Sequence, residues 1–209
     1  ANSIYDTIKL EFDIVKIKFN GDQDYLLSQI KDNKIDLVIN ALHGGVGEDG
    51  TLQKLFEVNN IKFSGSGSKS SKIAMDKNQT KKICLQNNIP TAIWEYYDFH
   101  KYQVNDLMVE YIKDMFKEGC VIKPVKEGSS IGMFILNTEK SLEKSAIKAS
   151  LVNCSKFSNE VIVEAFIPGR EITISILDNE TLPIIEIIPK KLFYDYQCKY
   201  TKGMSEYIV

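Results

Sequence analysis

The run Ile35-Asp36-Leu37-Val38-Ile39-Asn40-Ala41-Leu42-His43-Gly44-Gly45-Val46-Gly47-Glu48-Asp49-Gly50-Thr51 decides the fold class. Its first eight residues place apolar side chains on both faces of an extended chain, the pattern of a strand buried inside a parallel sheet. Four glycines and two acids then crowd residues 43–50, and a helical pattern follows over 51–59. Strand, glycine-rich turn and helix in that order make an α/β unit. The turn falls at the carboxyl end of the strand, where ligands bind in such folds.

Before this unit, residues 4–10 read as a helix, 12–19 as an alternating strand and 25–31 as a second helix. After it, Ser64-Gly65-Ser66-Gly67-Ser68 breaks the pattern and marks the first domain boundary. A long amphipathic helix is expected over 70–87, ended by Asn88-Ile89-Pro90. Residues 91–97 are β-rich, 102–117 helical, and 120–123 a short strand closed by Pro124. Strand 131–136, helix 141–151 and strand 161–166 follow. An alternating strand over 171–177 is expected to turn at Asp178-Asn179 and pair with 182–188.

Composition excludes several classes. The 209 residues are 44% hydrophobic and 26% charged, enough to bury a core in one or two domains. A formal net charge of −2 argues against a general nucleic-acid binder, which needs a basic face. The apolar runs are far shorter than a membrane span, and the start lacks the basic flank and apolar stretch of a signal peptide. Cys84, Cys120, Cys154 and Cys198 are scattered, with no CxxC and no Cys/His cluster, which suits reduced thiols in a cytosolic protein. The chain opens on Ala1-Asn2-Ser3 and closes on Tyr207-Ile208-Val209 within a strand-like pattern, so both ends are expected to be cut edges.

Four segments carry chemistry, and each also has a plain structural reading. Glu127-Gly128-Ser129-Ser130-Ile131-Gly132 follows Lys123-Pro124. Glycines let backbone N–H groups approach an anion, serines add hydroxyl donors and Lys123 adds a cation. Alone, the same residues describe a hairpin turn with a surface lysine. The segment does not match GxxxxGK[ST], which disfavours a Walker-type fold. Glu164-Ala165-Phe166-Ile167-Pro168-Gly169-Arg170-Glu171 ends a strand in one acid and opens the next with another. Such a crossover suits an adenine edge and ribose hydroxyls; alone, the same residues describe a turn with two solvated acids. His43 among four glycines suits a functional loop, or a capping histidine. Phe193-Tyr194-Asp195-Tyr196-Gln197-Cys198-Lys199-Tyr200 shows no strong helix or strand period, so it reads as an exposed loop or a mobile lid over a site.

In order and spacing these segments resemble the D-alanine–D-alanine ligases. The likeness rests on residues 43–50, Gly65-Ser66-Gly67, Met75-Asp76-Lys77, residues 123–132 and residues 193–200, and it runs over essentially the whole chain. It implies an ATP-grasp α/β fold with an N-terminal parallel-sheet α/β domain, incomplete at both ends. The implied divisions are 1–70 for the N-terminal substrate domain, 71–163 for the small ATP-grasp subdomain and 164–209 for the start of the large one.

By the same resemblance Lys77 and Lys123 contact ATP phosphates, and the serine loop closes over them with Ser130 on phosphate. Ser129 belongs to a hydrogen-bonded set, with Tyr200, that orients the first D-alanine. Glu164 and Ala165 meet the adenine with Ile167 as the apolar contact, Glu171 meets the ribose, and His43 lies near the first D-alanine carboxylate. Lys199 and Tyr200 form the lid, and Tyr200 favours D-alanine over D-lactate as second substrate. The implied reaction joins two D-alanines through an acyl phosphate for peptidoglycan, in a cytoplasmic homodimer using ATP and Mg2+. In the family a glutamate on a strand that would precede Ala1, and an arginine with Mg2+-binding Asp, Glu and Asn that would follow Val209, complete the site. No metal ligand is therefore assigned within these residues. Two alternatives stand beside this reading: a nucleotide-binding pseudoenzyme or fragment without ligase activity, and another ATP-grasp carboxylate–amine ligase.

Overall fold

The computed structural model describes residues 2–191, 194 and 196–209. The chain divides into two compact units, 1–75 and 76–209. No helix among the described residues is long and apolar enough to cross a membrane, and no disulfide joins the four cysteines.

The first unit contains helices α1 (Asn2–Ile8), α2 (Gln23–Asp32), α3 (Thr51–Val58) and α4 (Ser68–Met75), with a 3-10 turn at Gly45–Gly47. Asp22 starts α2 by accepting the backbone N–H groups of Asp24 and Tyr25 at 2.9 and 3.0 Å. Leu26, Ile30, Leu52 and Phe56 form the core, with Ile17, Phe19, Val38 and Phe63 packed on it. The expected buried strand over 35–42 is reduced to one parallel bridge, Val38 to Phe63. Its backbone bonds are Val38 N–H to Lys62 O and Ser64 N–H to Val38 O, both 2.9 Å. No second described segment pairs with it, so Leu37 and Ile39 are exposed instead of buried. The expected strand over 12–19 forms no ladder among the described residues. A strand needs its rows of N–H and C=O groups paired as well as the right alternation.

Helices α2, α3 and α5 (Lys77–Gln86) end through one repeated device, Asn-Xaa-Ile. Asn33, Asn59 and Asn87 each donate a side-chain amide to the carbonyl four residues back, at 2.8, 2.8 and 2.9 Å. The next residues, Lys34, Asn60 and Asn88, take left-handed φ of 51°, 55° and 57°. Ile35, Ile61 and Ile89 then return their N–H groups to Ile30, Phe56 and Cys84. This is the Schellman closure, with an isoleucine covering the helix end.

The second unit begins with α5, followed by β1 (Trp94–Asp98), α6 (Asp106–Met115), β2 (Cys120–Pro124), β3 (Phe134–Leu136), α7 (Lys144–Ser155) and β4 (Glu160–Ala165). The strands form an antiparallel sheet in the order β1-β4-β2-β3. Its inner face joins Cys120, Ile122, Val161 and Val163 to Val109, Ile112, Ile147 and Leu151 of α6 and α7. The opposite face carries Trp94, Lys123, Ile162 and Glu164 by strand alternation.

The helix expected to run unbroken over 70–87 instead breaks at Asp76. That residue leaves helical geometry, and its carboxylate caps α5 by accepting Gln79 N–H at 2.9 Å. The helix expected over 102–117 is shorter because Asn105 caps α6 through Met108 N–H.

Beyond β4 the chain forms β5 (Glu171–Thr173), β6 (Ile176–Leu177), β7 (Glu180–Thr181), β8 (Ile185–Pro189), α8 (Tyr196–Tyr200) and β9 (Ser205–Ile208). Asp178 and Asn179, at φ 49° and 68°, make the expected two-residue turn. The strand expected over 171–177 is split, because β5 pairs with β8 whereas β6 pairs only with β7. Residues 196–200, read as aperiodic, form a helical turn anchored by buried Cys198. Its carbonyl accepts Ser205 Oγ at 2.8 Å. Phe193 and Asp195 of that motif lie outside the described residues.

Candidate active site

The site-bearing face follows from strand register. Val121 sits opposite Glu164, so Lys123, two residues on, is the diagonal neighbour of that carboxylate. The Lys123 ammonium pairs with Glu164 Oε1. Pro124 then ends the strand and the chain enters the serine loop. Ser129 and Ser130 both adopt left-handed φ, 51° and 61°. A non-glycine residue there is held against a strain of about 1–3 kcal/mol, and such strain clusters at ligand sites. Gly132, at φ 67°, is required as glycine, since a Cβ would lie 2.8 Å from the Phe157 ring.

Lys77 is tied to the base of this loop. Its Nζ donates to Val125 O at 3.2 Å and Glu127 O at 2.5 Å, and its backbone N–H donates to Val125 O at 3.1 Å. Burial, assisted by the nearby Lys123 ammonium, brings the Lys77 ammonium down to about 8. Helix α8 closes the other side of the loop. The Ser129 and Tyr200 hydroxyls are 2.9 Å apart, and Ser130 Oγ donates to Tyr194 O at 3.2 Å. Lys199 Nζ lies 5.3 Å from the Tyr194 ring. Serine and tyrosine separated by 71 residues thus share one hydrogen bond.

One residue at this site escaped sequence reasoning. Lys81, on α5 one turn after Lys77, is only 8% exposed. Its Nζ donates to Thr91 Oγ1 at 2.9 Å and Ala92 O at 2.9 Å and meets Glu164 Oε2 at 2.8 Å. It also lies 5.2 Å from the Trp94 ring. Burial by itself raises the Glu164 carboxyl, but the Lys123 and Lys81 ammonium groups outweigh it and hold the group below its ordinary value. The i, i+4 spacing of Lys77 and Lys81 was the available signal, since it sets both on one helix face. Ala165 closes β4 and donates its N–H to Ile93 O at 3.0 Å. Ile167 is 68% exposed, and Glu171 opens β5 as an exposed residue opposite Ile187.

His43 belongs to the first unit, whereas the other candidate residues belong to the second. Its Nδ1 lies 3.7 Å from Glu48 Oε1. The glycine turn around it is clamped at one carbonyl. Gly47 O accepts Asn40 Nδ2 at 2.7 Å and Gln53 Nε2 at 2.8 Å. A Cβ on Gly47 would lie 2.5 Å from Leu42 Cβ. Asn40, His43, Glu48 and Ser66 line a cavity of about 520 Å³ at the carboxyl end of the extended 35–42 segment.

Several acids of the second unit are committed to other partners. Glu164 is held by two lysines, Glu160 by Lys126 and Tyr96, and Glu186 by Arg170. No cluster of three or more His, Cys, Asp or Glu groups that could hold a metal ion occurs among the described residues. These residues do not fit the donor set that Mg2+ requires.

An antiparallel sheet under two helices, with a strained serine loop and two lysines on one carboxylate, is an α/β arrangement of the ATP-grasp class. The family profile described as D-ala D-ala ligase N-terminus matches residues 5–66, and that described as D-ala D-ala ligase C-terminus matches residues 83–209. The chain belongs to the D-alanine–D-alanine ligase family. A D-alanine–D-alanine ligase of Aquifex aeolicus is 38% identical over 199 residues, covering 95% of this chain and 63% of that protein. The crystal structure of a D-alanine–D-alanine ligase from Bacillus anthracis matches with a TM-score of 0.79 at 34% identity, over 100% of this chain and 64% of the other. A Bacillus anthracis ligase structure complexed with ATP matches with a TM-score of 0.72 at 32% identity, over 96% and 60%. The chain thus spans just under two thirds of the length of these relatives.

Proposed function

We propose that this chain supplies the nucleotide site and part of the first-substrate site of an ATP-dependent ligase that joins two D-alanines for peptidoglycan. The reading is carried by Lys77 and Lys123 beside a loop whose two serines are held left-handed. A carboxylate attacking the γ-phosphate of ATP must overcome repulsion between anions. Cations fixed in a partly desolvated site offset that repulsion and stabilise the charge on the transferring group. Lys77, Lys123 and Ser130 serve the phosphates in this reading, Glu164, Ala165 and Ile167 the adenine, and Glu171 the ribose. His43 serves the D-alanine carboxylate, and Ser129 with Tyr200 orients the substrate. Lys199 covers the acyl phosphate, which water would otherwise hydrolyse.

Residues 71–163 act as the smaller nucleotide-binding subdomain and 164–209 open the larger. The working protein is a cytoplasmic homodimer in which Mg2+ accompanies ATP and binds through groups other than those described here.

Titration of the 209-residue chain in a calorimeter tests the reading. ATP and D-alanine should each bind saturably, and L-alanine should not. Lys123→Ala should weaken ATP by about 10- to 100-fold, the scale of a charge-assisted hydrogen bond. Unchanged ATP affinity in that variant, or equal binding of the two alanines, contradicts the proposal.

A further inference from the structure

We propose that Lys81 is a positioning residue for the purine: it occupies one oxygen of Glu164 so that the other is offered, as an anion, to the amino group of a 6-aminopurine. The inference rests on the reading that Glu164 meets the base. An ammonium group has three donors, and those of Lys81 are matched by Thr91 Oγ1, Ala92 O and Glu164 Oε2. The Trp94 ring flanks the cation, and its own Nε1–H is fixed by Asn78 Oδ1 at 3.0 Å. Lys81 is therefore built into the helix–sheet junction.

Lys123 meets the other oxygen of the same carboxylate from the end of β2, next to the serine loop. When phosphate draws Lys123 away, Glu164 is not left as a bare buried charge, because Lys81 stays. Oε1 is then open and ionised. An ionised carboxylate only accepts hydrogen bonds. A 6-amino group satisfies it, whereas a 6-oxo group sets acceptor against acceptor. Selection of adenine thus depends on a lysine that never touches the nucleotide.

The test compares ATP with inosine triphosphate, which carries oxygen at position 6, both as Mg2+ complexes titrated into the 209-residue chain. The parent should prefer ATP. Lys81→Met should lower ATP affinity by about 10- to 100-fold, as expected for a hydrogen bond to a charged group. Inosine triphosphate affinity should hold to within about 3-fold, so the preference collapses. A parent that binds both nucleotides equally overturns the placing of Glu164 at the base, and this inference with it. A parent that discriminates, with a Lys81→Met variant that discriminates equally well, overturns the role of Lys81 alone. Should Lys81→Met not fold, Glu164→Gln and Glu164→Gln/Lys81→Met decide, since neither leaves a bare buried carboxylate. Equal ATP preference in those two supports action through the Glu164 charge, and a further loss in the double variant overturns it.

Discussion

The sheets β1-β4-β2-β3 and β5-β8-β9 draw on the same apolar residue types but end in different states. In the first, Ile122, Val161 and Val163 are completely buried under α6 and α7. In the second, Ile172 is 56% exposed and Ile208 46%. Alternation makes a strand in both cases, while burial depends on a second layer. The charged groups differ in the same way. On the other face of the first sheet, Glu164 and Lys81 of α5 are nearly buried and bound to several partners, whereas the Arg170–Glu186 pair of the second sheet has a largely exposed arginine. There the partners of Lys81 on Thr91, Ala92 and Glu164 fix cation and anion in place.

The largest expected effect tests this contrast. Ile122→Ala removes a fully buried side chain and should cost about 2–5 kcal/mol in urea unfolding. Ile172→Ala should stay within about 0.5 kcal/mol, like other exposed substitutions. Equal losses would show that both sheets contribute alike to stability and break the comparison.

A smaller effect sharpens the electrostatic half. Lys77 is held at about 8 when folded, against 10.5 ordinarily. Its ammonium is therefore disfavoured by folding, and stability should rise as pH increases from about 8 towards 10.5, where the unfolded chain holds the extra proton. A bound phosphate does the reverse, favouring the charged form. At pH 8, ATP binding should then take up roughly half a proton, read from binding enthalpies in buffers of different ionisation heat. Lys77→Met should abolish the uptake, and uptake that persists in that variant assigns the proton to another group.

Much of this was legible in the sequence, and the losses have physical causes. The second unit's strands and the Asp178-Asn179 turn followed from alternation and turn chemistry, because each strand there has a partner. Residues 12–19 form no ladder among the described residues and 35–42 form only the Val38–Phe63 bridge, so pattern overstated structure. Asp76 read as one residue of a helix because its capping role depends on the backbone leaving helical geometry. Lys81 was missed because Glu164, 83 residues on, is brought to it only by the sheet, and its acceptors Thr91 and Ala92 only by the turn from α5 to β1. The serine loop was found from its residue types. Its left-handed serines and the Ser129–Tyr200 contact are geometric facts, and of these only the contact was implied, through the family resemblance.

The proposed nucleotide site requires residues 123–132 and 196–200 to act together on the phosphates. Hydrogen exchange on the 209-residue chain, with and without ATP, tests it most directly. Both segments should exchange readily in the free chain, and ATP should slow them together, linked through Ser129 and Tyr200. Full protection of residues 196–200 without nucleotide, or protection of one segment without the other, would contradict it.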